Sequence, residues 1–293
     1  MAGNKRRQYW LRLGRFFLAA SIFTWVLLIF GSANFYLNEL TNPNCPTAPP
    51  PPPGFINIDL PQPDGSILSG WWHNENNGSV IMLIGGHGSN RSALEHEASL
   101  LSNAGYGVIT SDTRHCNGQP LSFGWLEMQE AEAMLTYAQI HAPNAKIGAL
   151  GFSAGAVSIL RTAANHPQIR AVVAEGNYAN LYHEMTNSAA FPMSYRWQLE
   201  HAVAFLYTLR TGVSPQQIDM PSQLEKISPR PVLLIHGDRE ALNNEAHQQL
   251  SSAGENARLW IIPNCGHGGY YQTAALDYNM EIISFYKESL NNQ

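Results

Sequence analysis

Over residues 54–293, short apolar runs alternate with segments of helical pattern, and this alternation constrains the fold more than any other feature. The runs are rich in β-branched residues and mostly do not alternate with polar residues, as is typical of strands buried on both faces. Alternating strands and helices predict an α/β fold with a mostly parallel eight-stranded sheet and helices on both faces. The strand candidates are 55–60, 67–72, 80–84, 108–111, 147–150, 171–174, 232–235 and 259–262, and the helix candidates between them are 92–103, 127–141 and 154–165.

An apolar segment precedes this α/β region. Residues 16–30 read FFLAASIFTWVLLIF, and the apolar character continues to residue 37. A helix over 16–37 would be about 33 Å long, enough to cross a bilayer core of roughly 30 Å. We therefore predict a transmembrane signal anchor over 16–37, with Trp10 and Tyr36 at the two interfaces.

The charge of the flanking residues predicts the orientation of this anchor. Residues 1–15 contain five basic residues and no acidic one, which favours a cytoplasmic flank and an extracytoplasmic domain. The alternative is a signal peptide cleaved near residues 31–33, which would leave a secreted or periplasmic protein. The apolar stretch is long for a signal peptide, so we favour the retained anchor.

Residues 38–53 form a proline-rich linker with seven prolines. Proline fixes φ and lacks an N–H group, so this stretch favours an extended polyproline II spacer over helix or sheet interior. We place the boundary of the globular domain, residues 54–293, at its end.

The charge balance excludes one class of partner. The chain has 17 basic and 22 acidic side chains, and five of the basic ones lie in residues 1–15. An acidic remainder with no run of Lys or Arg argues against a nucleic-acid-binding surface. The three cysteines lack the spacing of a metal site and are too few for a disulfide scaffold.

A candidate nucleophile lies between a strand and a helix. Residues 151–155 read GFSAG, directly after strand candidate 147–150 and at the start of helix candidate 154–165. In this context G-x-S-x-G is the nucleophile elbow, whose glycines permit the sharp turn and whose helix start places N–H groups beside the serine. Ser153 is the predicted nucleophile of an acyl-transfer reaction.

A base and an acid complete the predicted set. His267 follows the last strand candidate on a loop bracketed by glycines, and such a loop can project an imidazole over the sheet edge. The acid that orients this base is expected between Ser153 and His267 in the chain. Glu175, Asp238 and Glu240 all follow strand candidates there, and spacing alone does not separate Asp238 from Glu240.

Two backbone N–H groups are predicted to form the oxyanion hole. One belongs to Ala154, the residue after the nucleophile. The other belongs to the glycine-rich loop 85–91, where we assign the backbone N–H of His87 rather than its imidazole.

From residue 55 onward the chain resembles the α/β-hydrolase superfamily, and within it membrane-anchored Bem46-like and serine aminopeptidase-like hydrolases. The GFSAG motif matches, 111–118 (SDTRHCNG) resembles the structural D-x-R-G-x-G loop, and 229–237 (PRPVLLIHG) resembles the approach to the catalytic acid. The resemblance implies that the acid is Glu240, where the family usually has Asp. It also maps the oxyanion loop to 85–88, with Gly85 in place of the usual His.

The resemblance implies a serine hydrolase that cleaves an ester, thioester or amide through an acyl-enzyme, without a cofactor or metal. The insert 176–228 is predicted to form a short cap whose aromatic residues line a pocket for a small-molecule or lipid-like acyl substrate. We expect an esterase or lipase-like enzyme, with a serine peptidase or a non-catalytic interaction protein of the same fold as alternatives. Cys116 and Cys265 lie on loops near the predicted catalytic face, and we expect them to pair and leave Cys45 free.

Overall fold

The computed structural model describes residues 2–186, 190–240 and 243–291. Seven positions of the predicted domain 54–293 therefore lie outside the described residues, namely 187–189 of the predicted cap, 241–242 and 292–293. The chain divides into a larger and a smaller compact unit.

The larger unit, Thr41–Leu181 with Gln216–Gln293, is built on an eight-stranded sheet of order β1-β2-β4-β3-β5-β6-β7-β8. Strand β2 is antiparallel to β1 and β4, and all other neighbouring pairs are parallel. The mostly parallel eight-stranded sheet is thus confirmed. The strands are β1 (Ile56–Pro61), β2 (Ile67–His73), β3 (Ser79–Ile84), β4 (Gly107–Ser111), β5 (Lys146–Phe152), β6 (Ile169–Glu175), β7 (Val232–Gly237) and β8 (Ala257–Ile262).

Burial explains why the central strands are continuous apolar runs. Every residue of β3, β4 and β7 is buried, because helices cover both faces of the sheet. The edge strand β1 instead alternates between exposed and buried residues over its second half. The covering helices are α2 (Glu95–Asn103), α3 (Met128–His141), α4 (Ala154–Asn165), α8 (Asn243–Ala253) and α9 (Tyr270–Asn291), and α7 (Met220–Ile227) packs against α4 and α8.

Helix α4 fixes the position of the candidate nucleophile. Its first ten residues, 154–163, are all buried. Gly155 packs directly on the carbonyl groups of Ile84 and Gly85, and a Cβ atom at this position would overlap with them. The second glycine of the GFSAG motif therefore allows α4 to approach the carboxyl end of β3.

The linker packs against the larger unit through backbone and side-chain contacts. The carbonyl of Thr41 accepts a hydrogen bond from the Leu121 N–H (2.7 Å), and the carbonyl of Pro46 accepts one from Asn90 Nδ2 (2.8 Å). Residues 42–53 contain no helix or strand, as their prolines predict.

The predicted cysteine pairing is wrong. Cys116 forms a disulfide with Cys45, and Cys265 is a buried free thiol. The linker brings Cys45 onto the loop that follows β4, with a Cα–Cα distance of 4.8 Å to Cys116. The prediction rests only on the expected position of Cys116 and Cys265 near one edge of the sheet. That position does not indicate that the linker folds back onto the domain and brings Cys45 to Cys116.

The smaller unit, Met1–Leu40 with Tyr182–Pro215, is helical. Helix α1 (Ala2–Thr41) extends beyond the predicted span 16–37 on both sides, and it is long and apolar enough to cross a membrane by length and composition. Helix α5 (Leu181–Thr186) is the first helix of the insert between β6 and β7. Helix α6 (Tyr195–Thr211), which follows it, packs alongside α1.

Thiol titration checks the disulfide. In denaturant without reductant we expect one reactive thiol per chain, that of Cys265, and after reduction three, since Cys45 and Cys116 are then released. Peptide mapping of the alkylated chain identifies which cysteine reacts in each condition. Three reactive thiols before reduction would contradict the pairing.

Candidate active site

Ser153 occupies a strained turn between β5 and α4. Its backbone has φ 54° and ψ −122°, a combination that costs an L-residue of order 1–3 kcal/mol and is concentrated at functional sites. The Ser153 N–H donates to the Glu175 carbonyl at 2.7 Å, which ties the turn to the end of β6. This is the backbone geometry that a nucleophile elbow requires.

The structure brings Ser153, His267 and Glu240 together in hydrogen-bonding order. His267 Nε2 lies 3.1 Å from Ser153 Oγ, and His267 Nδ1 lies 3.2 Å from Glu240 Oε2. With Nδ1 protonated and bonded to the carboxylate, Nε2 is left free to accept the serine proton.

Glu240 is a buried carboxylate with several donors. Its Oε1 accepts hydrogen bonds from the Gly237 N–H (2.6 Å) and from Tyr270 Oη (2.5 Å), and His236 Nδ1 lies 3.8 Å from Oε2. Burial alone would raise the pKa of Glu240, but interactions with His236, His267, Tyr270 and the Gly237 N–H outweigh burial and hold its pKa well below the usual value. The acid therefore remains ionised at neutral pH.

Tyr270 is a site residue that the sequence analysis missed. Burial, followed by the hydrogen bond to Glu240, raises the pKa of the Tyr270 hydroxyl far above its usual value, so the hydroxyl remains a donor. Tyr270 is the first residue of α9, three positions after His267. The short spacing between His267 and the start of α9 is the signal that could have identified it.

Gly176 is a second missed residue, and its role is steric. It has φ 58°, and a Cβ atom there would overlap Tyr270 Oη and lie 2.9 Å from His267 Nδ1. Any side chain at this position would push the imidazole away from Glu240. Gly176 directly follows β6. Because it has no side chain, it leaves the space that the His267 ring occupies.

The two alternative acids have other partners. Asp238 Oδ1 accepts a hydrogen bond from the Cys265 N–H at 3.2 Å and so braces the loop that carries His267. Glu175 accepts a hydrogen bond from Tyr278 Oη at 2.6 Å, and the same hydroxyl lies 2.9 Å from Glu97 Oε1.

The Tyr278 hydroxyl has one proton, so it can donate to only one of these two carboxyl groups at a time. The other carboxyl must be in its acid form to hydrogen-bond with the same oxygen. Burial, together with the proximity of the two acids, raises the pKa of Glu175 well above its usual value, and burial raises that of Glu97. A carboxyl that tends to be neutral is a poor partner for an imidazolium.

The residues predicted to supply the two oxyanion donors line one cavity next to the nucleophile. Gly86, His87 and Ala154 line a small cavity of about 10 Å³, which has room for about one water molecule. The Cβ position of Gly86 would be only 3.2 Å from Ser153 Cβ, so the loop backbone passes directly over the serine. The His87 ring stacks on Phe123 at a centroid distance of 5.1 Å. This stacking covers one face of the imidazole, and the His87 backbone N–H as an oxyanion donor stays a prediction.

The predicted oxyanion loop, residues 85–91, is hydrogen-bonded to the two residues that directly follow β4. Asp112 accepts hydrogen bonds from the Arg91 N–H (2.9 Å) and from Arg91 Nη1 (2.5 Å), and Thr113 Oγ1 donates to the Ser89 carbonyl (2.8 Å). The conformation of this loop is thus set before a substrate arrives.

The fold is that of an α/β hydrolase. The Pyrococcus furiosus esterase Pf2001 superposes with a TM-score of 0.70 at 20% identity, covering 86% of this chain and 98% of that one. The Pyrococcus horikoshii acylaminoacyl peptidase has a TM-score of 0.63 at 15% identity, covering 82% of this chain and 42% of that one. At such identities the similarity establishes the fold.

The sequence itself defines the family. Residues 127–293 match the prolyl oligopeptidase family, and the chain belongs to that family of hydrolases. A curated relative, the uncharacterized protein PA2218 of Pseudomonas aeruginosa, is 30% identical over 84 residues, and the match spans 23% of its length. The crystal structure of PA2218 has a TM-score of 0.62. The superfamily prediction is confirmed, whereas the narrower Bem46-like resemblance stays a prediction.

Substitution of Gly176 tests the steric role. Gly176→Ala should lower kcat/KM on an activated ester by about 100-fold, because a displacement of the imidazole by about 1 Å costs that much. Gly65→Ala is the matched control, since Gly65 also has a positive φ (85°) but nothing lies within 4 Å of its Cβ position. Both variants place a side chain at a positive φ, but only the one at position 176 would meet His267, so equal activities of the two would contradict the assignment.

Proposed function

We propose that this protein is a serine hydrolase that cleaves an ester, thioester or amide through an acyl-enzyme intermediate. The observation that carries the proposal is the hydrogen-bonded series from Ser153 Oγ through both nitrogens of His267 to the buried carboxylate of Glu240. The strained Ser153 backbone supports the proposal, because a non-catalytic protein gains nothing from this strain.

The proposed mechanism follows from these contacts. His267 Nε2 removes the proton of Ser153 Oγ as the oxygen attacks the substrate carbonyl, and Glu240 stabilises the imidazolium that forms. The N–H groups of His87 and Ala154 stabilise the oxyanion. His267 then donates its proton to the leaving group, and a water molecule activated by the same imidazole hydrolyses the acyl-enzyme. The chemistry requires no metal or cofactor.

We propose esterase or lipase-like action as the subclass. Similarity over 98% of the Pf2001 esterase chain supports this choice. The insert between β6 and β7 is rich in aromatic residues, and this composition supports a substrate with an apolar acyl group. A serine peptidase is the second candidate, because the matching family is that of prolyl oligopeptidase.

We further propose that α1 anchors the protein in a membrane, with the basic flank 1–15 cytoplasmic and the hydrolase domain extracytoplasmic. The Cys45–Cys116 disulfide supports this orientation, because disulfides persist in oxidising compartments. Cleavage near residues 31–33, giving a secreted or periplasmic protein, is the alternative.

Active-site labelling tests the proposed reaction. The detergent-solubilised full chain should react with a fluorophosphonate probe at Ser153, and Ser153→Ala should abolish labelling while its circular dichroism spectrum stays unchanged. A folded wild type that does not label would overturn the proposal. A panel of p-nitrophenyl esters of increasing acyl length, compared with aminoacyl anilides, separates the esterase from the peptidase.

A pair of isosteric variants tests the acid. Glu240→Gln should lower kcat by roughly 10⁴-fold, since an amide no longer selects the productive His267 tautomer or stabilises its charge. Asp238→Asn should change kcat by less than about tenfold (about 1.4 kcal/mol), because the amide oxygen can still accept the Cys265 N–H. The reverse order of effects would assign the acid to Asp238.

A further inference from the structure

The predicted oxyanion loop, residues 85–91, has little conformational preference of its own. Three of its seven residues are glycines, which restrict the backbone less than any other residue. An oxyanion hole nevertheless needs N–H donors that are already held close to the position of the developing charge before the reaction begins. The restraints on this loop must therefore come from the segments that pack against it.

One set of restraints comes from the residues that follow β4. Asp112 accepts hydrogen bonds from the N–H and the guanidinium group of Arg91, and Thr113 Oγ1 donates to the Ser89 carbonyl. These contacts act on the loop two and four positions after His87, the residue whose N–H is the predicted donor.

A second set of restraints comes from the linker. Pro43 lies against Gly88, with its Cγ atom 3.4 Å from the position that a Cβ atom of this glycine would occupy. The carbonyl of Pro46 accepts a hydrogen bond from Asn90 Nδ2 at 2.8 Å. Gly88 directly follows His87, so the linker contacts the loop immediately next to the predicted donor.

Asn90 connects the linker to the end of the loop. Its side chain is buried, at 4% exposure, and both ends of the amide are used. Oδ1 accepts hydrogen bonds from the Ser92 N–H (2.9 Å) and from Ser92 Oγ (2.7 Å), while Nδ2 donates to Pro46. Displacement of the linker would take this acceptor away from a buried amide, which is unfavourable, so the loop and the linker hold their positions together.

The Cys45–Cys116 disulfide keeps the linker in this place. Cys45 directly precedes Pro46, and Cys116 lies three residues after Thr113. The bond therefore joins the two segments that restrain the loop. A single hydrogen bond contributes too little to hold an extended segment by itself, whereas the covalent bond keeps the Pro46 carbonyl close to Asn90.

We propose that linker residues 43–46 are a positioning element of the oxyanion hole, and that Asn90 is the positioning residue through which they act. The Cys45–Cys116 disulfide holds this element and thereby contributes to turnover. All of these residues act through the backbone of loop 85–91, which carries the His87 N–H. The inference rests on the serine hydrolase mechanism, and on the role of the His87 N–H, given under "Proposed function".

An isosteric substitution of Asn90 tests the inference on the detergent-solubilised full chain. Asn90→Asp retains an oxygen that accepts the Ser92 N–H, but it replaces the donor to Pro46 with a second oxygen, which repels the carbonyl. We expect kcat on a p-nitrophenyl ester to fall by about tenfold or more, because small displacements of catalytic groups are costly. KM should change less than about twofold, because the oxyanion forms only in the transition state.

Asn77→Asp is the matched control. Asn77 Oδ1 accepts the Ser79 N–H at 3.1 Å, and Nδ2 donates to the Ala104 carbonyl at 3.5 Å. The substitution therefore exchanges the same atoms in a similar turn, but at the start of β3, whereas the oxyanion loop follows the end of β3. We expect kcat of this variant to stay within about twofold of the wild type. An equal loss of kcat in the two variants would overturn the inference.

Removal of the disulfide gives an independent test. The variant with Cys45→Ser and Cys116→Ser should also lose about tenfold in kcat, and adding Asn90→Asp to it should cost less than about twofold more, because both changes release the same restraint. Effects that multiply would overturn the inference, since the new carboxylate would then act through its charge. An unchanged kcat without the disulfide would overturn it as well. Asn90→Asp leaves the disulfide intact, so the test does not depend on the folding of the serine variant.

A transition-state analogue reports on the oxyanion hole directly. A trifluoromethyl ketone forms a tetrahedral adduct with the nucleophile and places a negatively charged oxygen in the hole. Its inhibition constant should rise in Asn90→Asp by the same factor by which kcat/KM falls. An inhibition constant equal to that of the wild type would contradict a role at the oxyanion.

Fluorophosphonate labelling of the unsubstituted chain separates this inference from the proposed function. A folded chain that does not label at Ser153 overturns the hydrolase, and the positioning role with it. A chain that labels and turns over, but keeps its kcat in Asn90→Asp and without the disulfide, contradicts the positioning role alone.

Discussion

A buried, ionised carboxylate is the constraint on which the candidate site depends. Glu240 can retain its charge inside the protein only because a backbone N–H, the Tyr270 hydroxyl and the His267 ring all donate to it or lie against it. The donors hold the Glu240 carboxylate in one orientation. The carboxylate, through its contact with Nδ1, sets the tautomer and orientation of the His267 ring. The strained backbone of Ser153 then aims Oγ at an imidazole that is already oriented. The site is thus ordered from its buried end toward the reacting atom.

The sheet delivers these groups to one place through close backbone approach. Gly155 lets α4 pack against the end of β3, and Gly176 leaves the volume that the His267 ring occupies. The end of β6 contributes twice, because the Glu175 carbonyl holds the Ser153 N–H while its carboxyl points into a separate network with Tyr278. Two glutamates at neighbouring strand ends therefore have opposite ionisation tendencies. One is surrounded by donors, and the other shares a hydroxyl with a second acid.

Much of this arrangement could be predicted from the sequence, because its determinants are local. Strands buried on both faces are visible as β-branched runs, and the elbow is visible because it needs glycines on either side of a serine between a strand and a helix. Tyr270 and the Cys45–Cys116 disulfide were not predicted, since they depend on how a loop and the linker fold back onto the sheet. The spacing of residues in the sequence also does not decide whether Asp238 or Glu240 is the acid. It depends on which carboxylate faces the ring of His267 and which one accepts the Cys265 N–H.

For the proposed hydrolase, attachment to a bilayer changes the supply of substrate. Burial of each methylene group of an acyl chain in lipid is favourable by about 0.8 kcal/mol, so a long-chain ester partitions strongly into the membrane. An enzyme free in solution would meet such a substrate only at the low concentration that remains in water. The insert that contains α5 and α6 lies between β6 and β7, the strands that precede Gly176 and Glu240. Chain connectivity therefore joins α6, which packs on the proposed anchor helix α1, to two strand ends of the site.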